Sequence, residues 1–356
     1  MSEAHQRSWA NEPWEAADRL LDTMSTDAVR LHRVAPLAAR RLKRLGRAVP
    51  QLFLHEERAA RAAMMVLPSL LRRIREAYDR PVLVIKGPEV AARYPDAARS
   101  FDDLDLLVED ARGAQRALLA AGFVEVPDPT DHYVGIHHLP PLVWPELPLK
   151  IELHTRPKWP RYLPAPPVQP LFDEAVTSFC AVDGIDAPAA HHHALIVAAH
   201  AWGHTPLRDL RDLLDVAATA READEADLRR AAHEWRIDRL WDATRSTVEW
   251  RLYGGRRPIA VALWARQLID LREATVLEGH LVRWASPLWA LPLRRALPVS
   301  LQRVFSDLRP EAGMSWSEKR RSVFRAVRHA FLSKSKHGWG TQDAPPQVPL
   351  PRRSRD

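Results

Sequence analysis

The spacing of apolar positions changes several times along the chain, and each change marks an element. Trp14, Ala17, Leu20 and Leu21 recur at helical spacing and a longer helical pattern runs from His55 towards Tyr78, so residues 14–78 read as a helical preamble. Pro81 then opens Val82-Leu83-Val84-Ile85, a β-branched run closed by Lys86-Gly87-Pro88, which predicts a buried strand, a turn and a short helix. Residues 104–108 form a second strand, followed by a helix to about Ala121 with Gly122 as its stop. Further strands are expected at residues 132–138 and 149–154. The Pro-dense stretch at 157–170 breaks periodicity and either wraps the surface or links domains.

From residue 189 the pattern is helical, with segments at 189–203, 207–220, 225–236 and 238–253. Helices continue beyond Pro258, interrupted at Pro287, Pro292 and Pro298, and after Gly338 the Pro- and Arg-rich composition is that of a disordered tail. The reading is an α+β fold in four parts: an N-terminal helical segment (1–79), a core built on a small mixed β-sheet (80–185), a helical domain (186–335) and a tail (336–356).

Composition narrows the class. With 46% hydrophobic and 27% charged residues the chain can bury a sizeable core. Its single cysteine, Cys180, excludes an internal disulfide framework and a cysteine-rich zinc cluster. The first residues lack a basic-then-apolar leader and no apolar run reaches the ~18 residues of a membrane span, so a cytoplasmic location is expected. The net charge of +7 is uneven: residues 281–356 hold 15 Arg and Lys against 5 Asp and Glu, a balance of +10 that leaves −3 for the rest. Within that region residues 317–334 read as a basic amphipathic helix, with Val323, Phe324, Val327 and Phe331 on one face. Packing of that face onto the helical domain is favoured over contact with nucleic acid or an anionic membrane, for which Trp284 and Trp289 would be the neighbouring aromatics.

The sharpest chemistry lies at Asp102-Asp103-Leu104-Asp105-Leu106. Residues two apart on a strand share a face, so Asp103 and Asp105 project together while Leu104 and Leu106 enter the core. Two such acids are either turn caps or a pair whose mutual repulsion calls for a hard divalent cation. A third carboxylate stands in Ile151-Glu152-Leu153-His154, where Glu152 and His154 share the outward face. Three carboxylates on neighbouring strands have the donor chemistry for Mg²⁺ or Mn²⁺ and in-line phosphoryl displacement. Arg99 has two readings, a bidentate triphosphate ligand or an ion-pair partner of Asp102 or Asp103. His200 and His204, four apart on a helix, have zinc spacing but no obvious third ligand, and face the cleft or pack, with Asp209 or Asp212 as partners.

These residues carry a resemblance. Leu83-Val84-Ile85-Lys86-Gly87, Tyr94-Pro95-Asp96, Arg99, Asp103-Leu104-Asp105-Leu106-Leu107-Val108 and Ile151-Glu152-Leu153-His154 resemble the uncharacterised nucleotidyltransferases of the DNA-polymerase-β-like superfamily. The likeness extends upstream to residues 31–37 and downstream to His200, His204 and Leu207-Arg208-Asp209-Leu210-Arg211-Asp212, covering residues 15–260 and leaving the basic C-terminal part outside. It implies a polymerase-β-like catalytic core in which Asp103 and Asp105 bind metal and Glu152 completes the triad. Lys86, Gly87 and Arg99 are candidates for contact with the nucleotide, and His154, His200, His204 and Asp212 are candidates on the acceptor side. The wider superfamily has a Gly-Ser turn where this chain has Lys86-Gly87-Pro88, and Pro88 lacks the N–H for a backbone phosphate cradle. The expected reaction moves a nucleoside monophosphate from an NTP, by default ATP, onto an acceptor that the resemblance does not identify. The alternative is a non-catalytic module that keeps the fold and binds nucleotide or a partner.

Overall fold

The computed structural model describes residues 13–126, 138–272, 274–310 and 314–332. Among the described residues four helices precede the first strand: α1 (Trp14–Leu21), α2 (Thr26–Leu31), α3 (Ala35–Arg44) and the long α4 (Gln51–Ala77). The preamble is more broken than periodicity alone indicates, because each break has a local signal. The Ser25 hydroxyl accepts from Ala28 N–H to start α2, and Pro36 stands in the first turn of α3.

The sheet follows: β1 (Val82–Val84), α5 (Pro88–Ala91), β2 (Asp103–Val108), α6 (Ala111–Ala120), β3 (Val124–Glu125), β4 (Leu142–Trp144), β5 (Leu147–His154), α7 (Gln169–Asp173), β6 (Val176–Thr177) and β7 (Ile185–Ala187). Its seven strands lie in the order β3-β4-β5-β2-β1-β7-β6. β2 is antiparallel to β1 and parallel to β5, and β1 is parallel to β7. The sheet is therefore mixed, as expected. Of the strand expected at 132–138 only His138 is described. Asp110 caps α6 by accepting from Gly113 N–H, and Gly122 follows it at φ +99°, the left-handed conformation that stops a helix at little strain.

Alternation along the central strands sorts their side chains into two layers. Val82 and Val84 of β1, Leu104, Leu106 and Val108 of β2, and Leu149, Ile151 and Leu153 of β5 pack with Leu67, Leu70, Leu71 and Ile74 of α4 and Leu118 of α6. Leu83, Ile85 and Leu107 point the other way, into a larger core shared with the helices after the sheet. Asp103, Asp105, Glu152 and His154 belong by the same alternation to this second face.

The helices on that side are α8 (Ala190–His204), α9 (Leu210–Ala220), α10 (Glu225–Glu234), α11 (Asp238–Tyr253), α12 (Ile259–Trp264), α13 (Arg266–Asp270), α14 (Val276–Ala285), α15 (Pro287–Ala290), α16 (Leu293–Leu308) and α17 (Trp316–Leu332). Asp209 and Asp224 cap α9 and α10, Gly254 ends α11 in the left-handed region, and Thr275 with Glu278 forms a capping box on α14. Pro287 and Pro292 each adjoin a helix start, whereas Pro298 lies within α16. Trp14, Leu37, Leu195, Leu214 and Trp241 share one apolar cluster, so the N-terminal helices pack on the same core as α8, α9 and α11. His32 fixes that contact: its Nδ1 accepts from Leu210 N–H (3.2 Å) and its carbonyl from Arg211 N–H (3.3 Å). Among the described residues no helix is long and apolar enough to cross a membrane.

The two aromatics named for a membrane or nucleic-acid contact are both partly buried. Trp284 Nε1 donates to Asp307 (2.8 Å), and Trp289 packs half-buried against the core. The expectation that Phe324 packs inward is overturned, because it is 70% exposed on α17.

Candidate active site

The parallel pairing of β2 with β5 brings the acids together. In register, Asp103 stands opposite Lys150, Asp105 opposite Glu152, and Leu107 opposite His154. Neighbouring strands are about 4.8 Å apart, so Asp105 and Glu152 meet on one face without help from a loop. His154 Nε2–H donates to Asp105 Oδ1 at 2.9 Å and lies 3.6 Å from a Glu152 oxygen. His138 Nε2 is 3.6 Å from the same Glu152 oxygen, and the two imidazole centroids are 5.4 Å apart. Asp105, Glu152 and His154 each offer one donor atom within a 4.8 Å set that can hold a metal ion, and Asp103 does not enter that set.

The electrostatics separate the two aspartates. Burial and the neighbouring Asp105 charge push Asp103 up from the ordinary carboxylate range, against Lys86. Burial would also raise Asp105, but the His154 hydrogen bond and the Lys86 charge outweigh it and hold Asp105 below that range. Burial alone would depress the His154 imidazole; its hydrogen bonds to Asp105 and Glu152 prevail and hold its pKa at about 9. Asp105 Oδ2 is buried without a hydrogen-bond partner among the described residues. An orphaned anionic oxygen beside two further carboxylates suits a hard divalent cation.

Gly87 shapes the neighbouring turn. Its φ of +61° lies where non-glycine residues are strained, and an added Cβ would meet the Asp103 carbonyl at 2.8 Å. Gly87→Ala should therefore lower stability by about 2 kcal/mol or more and displace the start of β2. Chemical denaturation together with metal-binding calorimetry checks this, and an unchanged unfolding midpoint would count against it. Lys86, one residue earlier, donates its ammonium to His200 Nε2 at 2.7 Å, which requires the unprotonated lone pair of that nitrogen. His200 thus meets Lys86 across the sheet face. The side chain of His204 lies outside the described residues.

Arg99 joins none of these carboxylates. Its Nε and Nη2 donate to the two oxygens of Asp215 on α9, both at 2.7 Å, and Tyr94 Oη–H donates to Asp215 Oδ1 at 2.7 Å. Arg99 Nη1 reaches the Gly87 carbonyl at 3.4 Å, so the guanidinium ties the turn to α9. The reading of Arg99 as a partner of Asp102 or Asp103 gives way to Asp215, which is 116 residues distant and carried no local signal. Asp212 also stands apart from the metal-type cluster. It sits in the first turn of α9, where its N–H donates to the Asp209 cap (3.0 Å), and Arg33 and Arg208 flank Asp209. His138, the last residue of the strand expected at 132–138, adds a second imidazole beside Glu152.

Other histidines are placed structurally. His193 Nε2–H donates to the Ile85 carbonyl at 3.1 Å, and burial lowers its pKa to about 3. A second metal-type group, Glu174 with His191 and His192, lies away from the carboxylates. Its His192 ring is stacked on Trp235 at 4.9 Å.

Residues 23–252 match a family model described as an uncharacterised nucleotidyltransferase. The chain belongs to that family. The matched span takes in the preamble from α2, the whole sheet and α8 to α11, and stops before the basic C-terminal region, as the resemblance implied. No curated protein and no solved structure matches the chain. The paired strands β2 and β5 lie inside the matched span, as do Lys86 and His200.

Proposed function

We propose that the chain transfers a nucleoside monophosphate from an NTP, with ATP the default donor, to a hydroxyl of a small molecule, peptide or protein. Asp103, Asp105 and Glu152 would hold Mg²⁺ or Mn²⁺. One observation carries the reading: the in-register pair Asp105 and Glu152 on parallel strands, with Asp105 Oδ2 buried and unpartnered among the described residues. A divalent cation there supplies charge for the triphosphate and lowers the pKa of the acceptor hydroxyl.

The chain's own groups divide the remaining work. His154 fixes the orientation of Asp105 through its hydrogen bond to Oδ1, which leaves Oδ2 unpartnered among the described residues. Lys86 brings a positive charge beside the carboxylates, where the β- and γ-phosphates would approach, and His200 holds it there. In transfer the acceptor oxygen bonds to the α-phosphorus, the bond from that phosphorus to the bridging oxygen breaks, and pyrophosphate leaves. The acceptor proton goes to a carboxylate, for which Glu152 is the assignment because His154 is held protonated.

Release of pyrophosphate with candidate acceptors, in Mg²⁺ or Mn²⁺, tests the reading. Glu152→Gln keeps size and strand packing while removing the anionic oxygen, and should lower kcat by about 10²-fold or more with little change in KM. Parental kcat in that variant would reduce Glu152 to a half-buried strand residue.

A further inference from the structure

The helix before the C-terminal arginines, α16, carries an apolar face that stays exposed among the described residues. Leu293, Leu297, Leu301 and Phe305 follow one another at four-residue spacing along α16 and are 62, 54, 56 and 61% exposed. Exposed leucines occur singly on ordinary surfaces, but a continuous stripe of this length marks a binding face. The opposite side of α16 is occupied: Ala296 is fully buried and Val299 packs on the core.

Charge identifies the occupant. Together α16 and α17 hold eight Arg and Lys (Arg294, Arg295, Arg303, Lys319, Arg320, Arg321, Arg325, Arg328) against two acids, 8 − 2 = +6. Both acids are already engaged. Asp307 is bound by Arg283 and Trp284, and Glu318 accepts from Ser315 at the start of α17. The exposed positions of α16 are therefore apolar, neutral or arginine. Phe324 and Trp316 add 70 and 68% exposed aromatic rings among the arginines of α17. Both helices pack on α14, which holds them on one side of the molecule.

We propose that the outer face of α16, with the arginines and exposed aromatics of α17, is a docking surface for an anionic phospholipid bilayer. Leucine and phenylalanine enter the acyl boundary and arginine meets the headgroup phosphates, with the helices lying in the plane of the interface. A second copy would bring like-charged arginines together across a two-fold axis, and nucleic acid would use the arginines but leave the Leu/Phe stripe in water. The inference stands apart from the transferase reading, because none of these residues belongs to the candidate active site.

Sedimentation of the full chain with phosphatidylcholine vesicles, with and without phosphatidylglycerol, tests it. The expected result is binding to the anionic vesicles that weakens from low salt to about 0.15 M ionic strength. Leu297→Glu with Leu301→Glu should lower that binding by more than about tenfold, while the melting temperature stays parental because both positions are already exposed. Arg320→Glu with Arg321→Glu provides a second variant and should weaken binding in the same direction. No binding to anionic vesicles at low salt overturns the proposal, and so does binding that survives both variants. A dimer in light scattering that the leucine variant dissociates would assign the face to a second copy instead. Binding of an oligonucleotide duplex, but not vesicles, that depends on the arginines alone would assign it to nucleic acid.

Discussion

Asp105→Asn should reduce metal-dependent pyrophosphate release by at least about 10³-fold and also lower the unfolding free energy at neutral pH by about 2 kcal/mol. Asp103→Asn should lose comparable turnover yet leave stability unchanged or slightly improved. The contrast follows from the opposite placement of the two carboxylates. Asp105 accepts a hydrogen bond from a protonated His154 and has its ionised form favoured, so its contribution is full above the unfolded value of 3.8 and is lost as pH falls below that towards its lower folded value. Asp103 has its ionised form disfavoured by burial and by Asp105, so charging it opposes folding as pH rises above 3.8. His154 adds an alkaline limb: its folded pKa of about 9 lies above the unfolded 6.5, so its stabilisation is complete below 6.5 and is lost as pH rises through about 9. Asp105→Asn should flatten that limb. Urea unfolding in chelator across pH 2 to 10, beside pyrophosphate release in Mg²⁺, reads all of these. Equal destabilisation by the two substitutions would sink the assignment of separate roles.

The second large effect lies away from the metal-type cluster. Asp215→Ala should destabilise the protein by about 3–5 kcal/mol, because it leaves the Arg99 guanidinium buried without its counter-charge. Arg99 and Asp215 side chains are 2 and 4% exposed, and their bidentate contact is joined by Tyr94. Arg99→Lys should recover only part of the loss, since an ammonium cannot span both carboxylate oxygens in one plane. The same pair holds the Gly87 carbonyl, so nucleotide affinity should fall as well, but only alongside stability. Denaturant unfolding paired with ATP-binding calorimetry separates the outcomes. If Arg99→Lys weakened ATP binding with an unchanged unfolding midpoint, Arg99 would be a nucleotide ligand and the buried pair a secondary matter.

The sequence was most legible where local pattern and tertiary role coincide. Val82-Leu83-Val84 is apolar throughout because β1 lies between β2 and β7 with cores on both faces, and a short run of β-branched residues announces such a strand. Asp103-Leu104-Asp105 and Ile151-Glu152-Leu153 alternate because one face of each strand meets α4 and α6 while the other carries the carboxylates. The helices from residue 190 to 253 matched their expected bounds closely, since Asp caps and Gly254 mark the ends. What escaped was non-local or very short. β6 has two residues and β7 three, too few for a period to show. The pairing of Arg99 with Asp215 joins two segments through a fold, and neither neighbourhood signals it. The apolar stripe of α16 was missed because its leucines alternate with arginines and prolines, a pattern that reads as an ordinary interrupted helix until exposure is known.

The shared core of the first and later helices also sets a schedule for synthesis. Leu37 and Ala39 bury against a cluster that includes Ala194 and Leu195, so their partners leave the ribosome 194 − 39 = 155 residues later. At about 5–20 residues per second that is roughly 8–30 s during which the amphipathic α1 and α3 have no completed surface to cover them. The nascent chain must therefore carry exposed Trp14, Leu21 and Leu37 past the whole sheet. Aggregation in a cell should then depend on translation rate and on chaperones that bind near the N-terminus, more than on the stability of the finished protein.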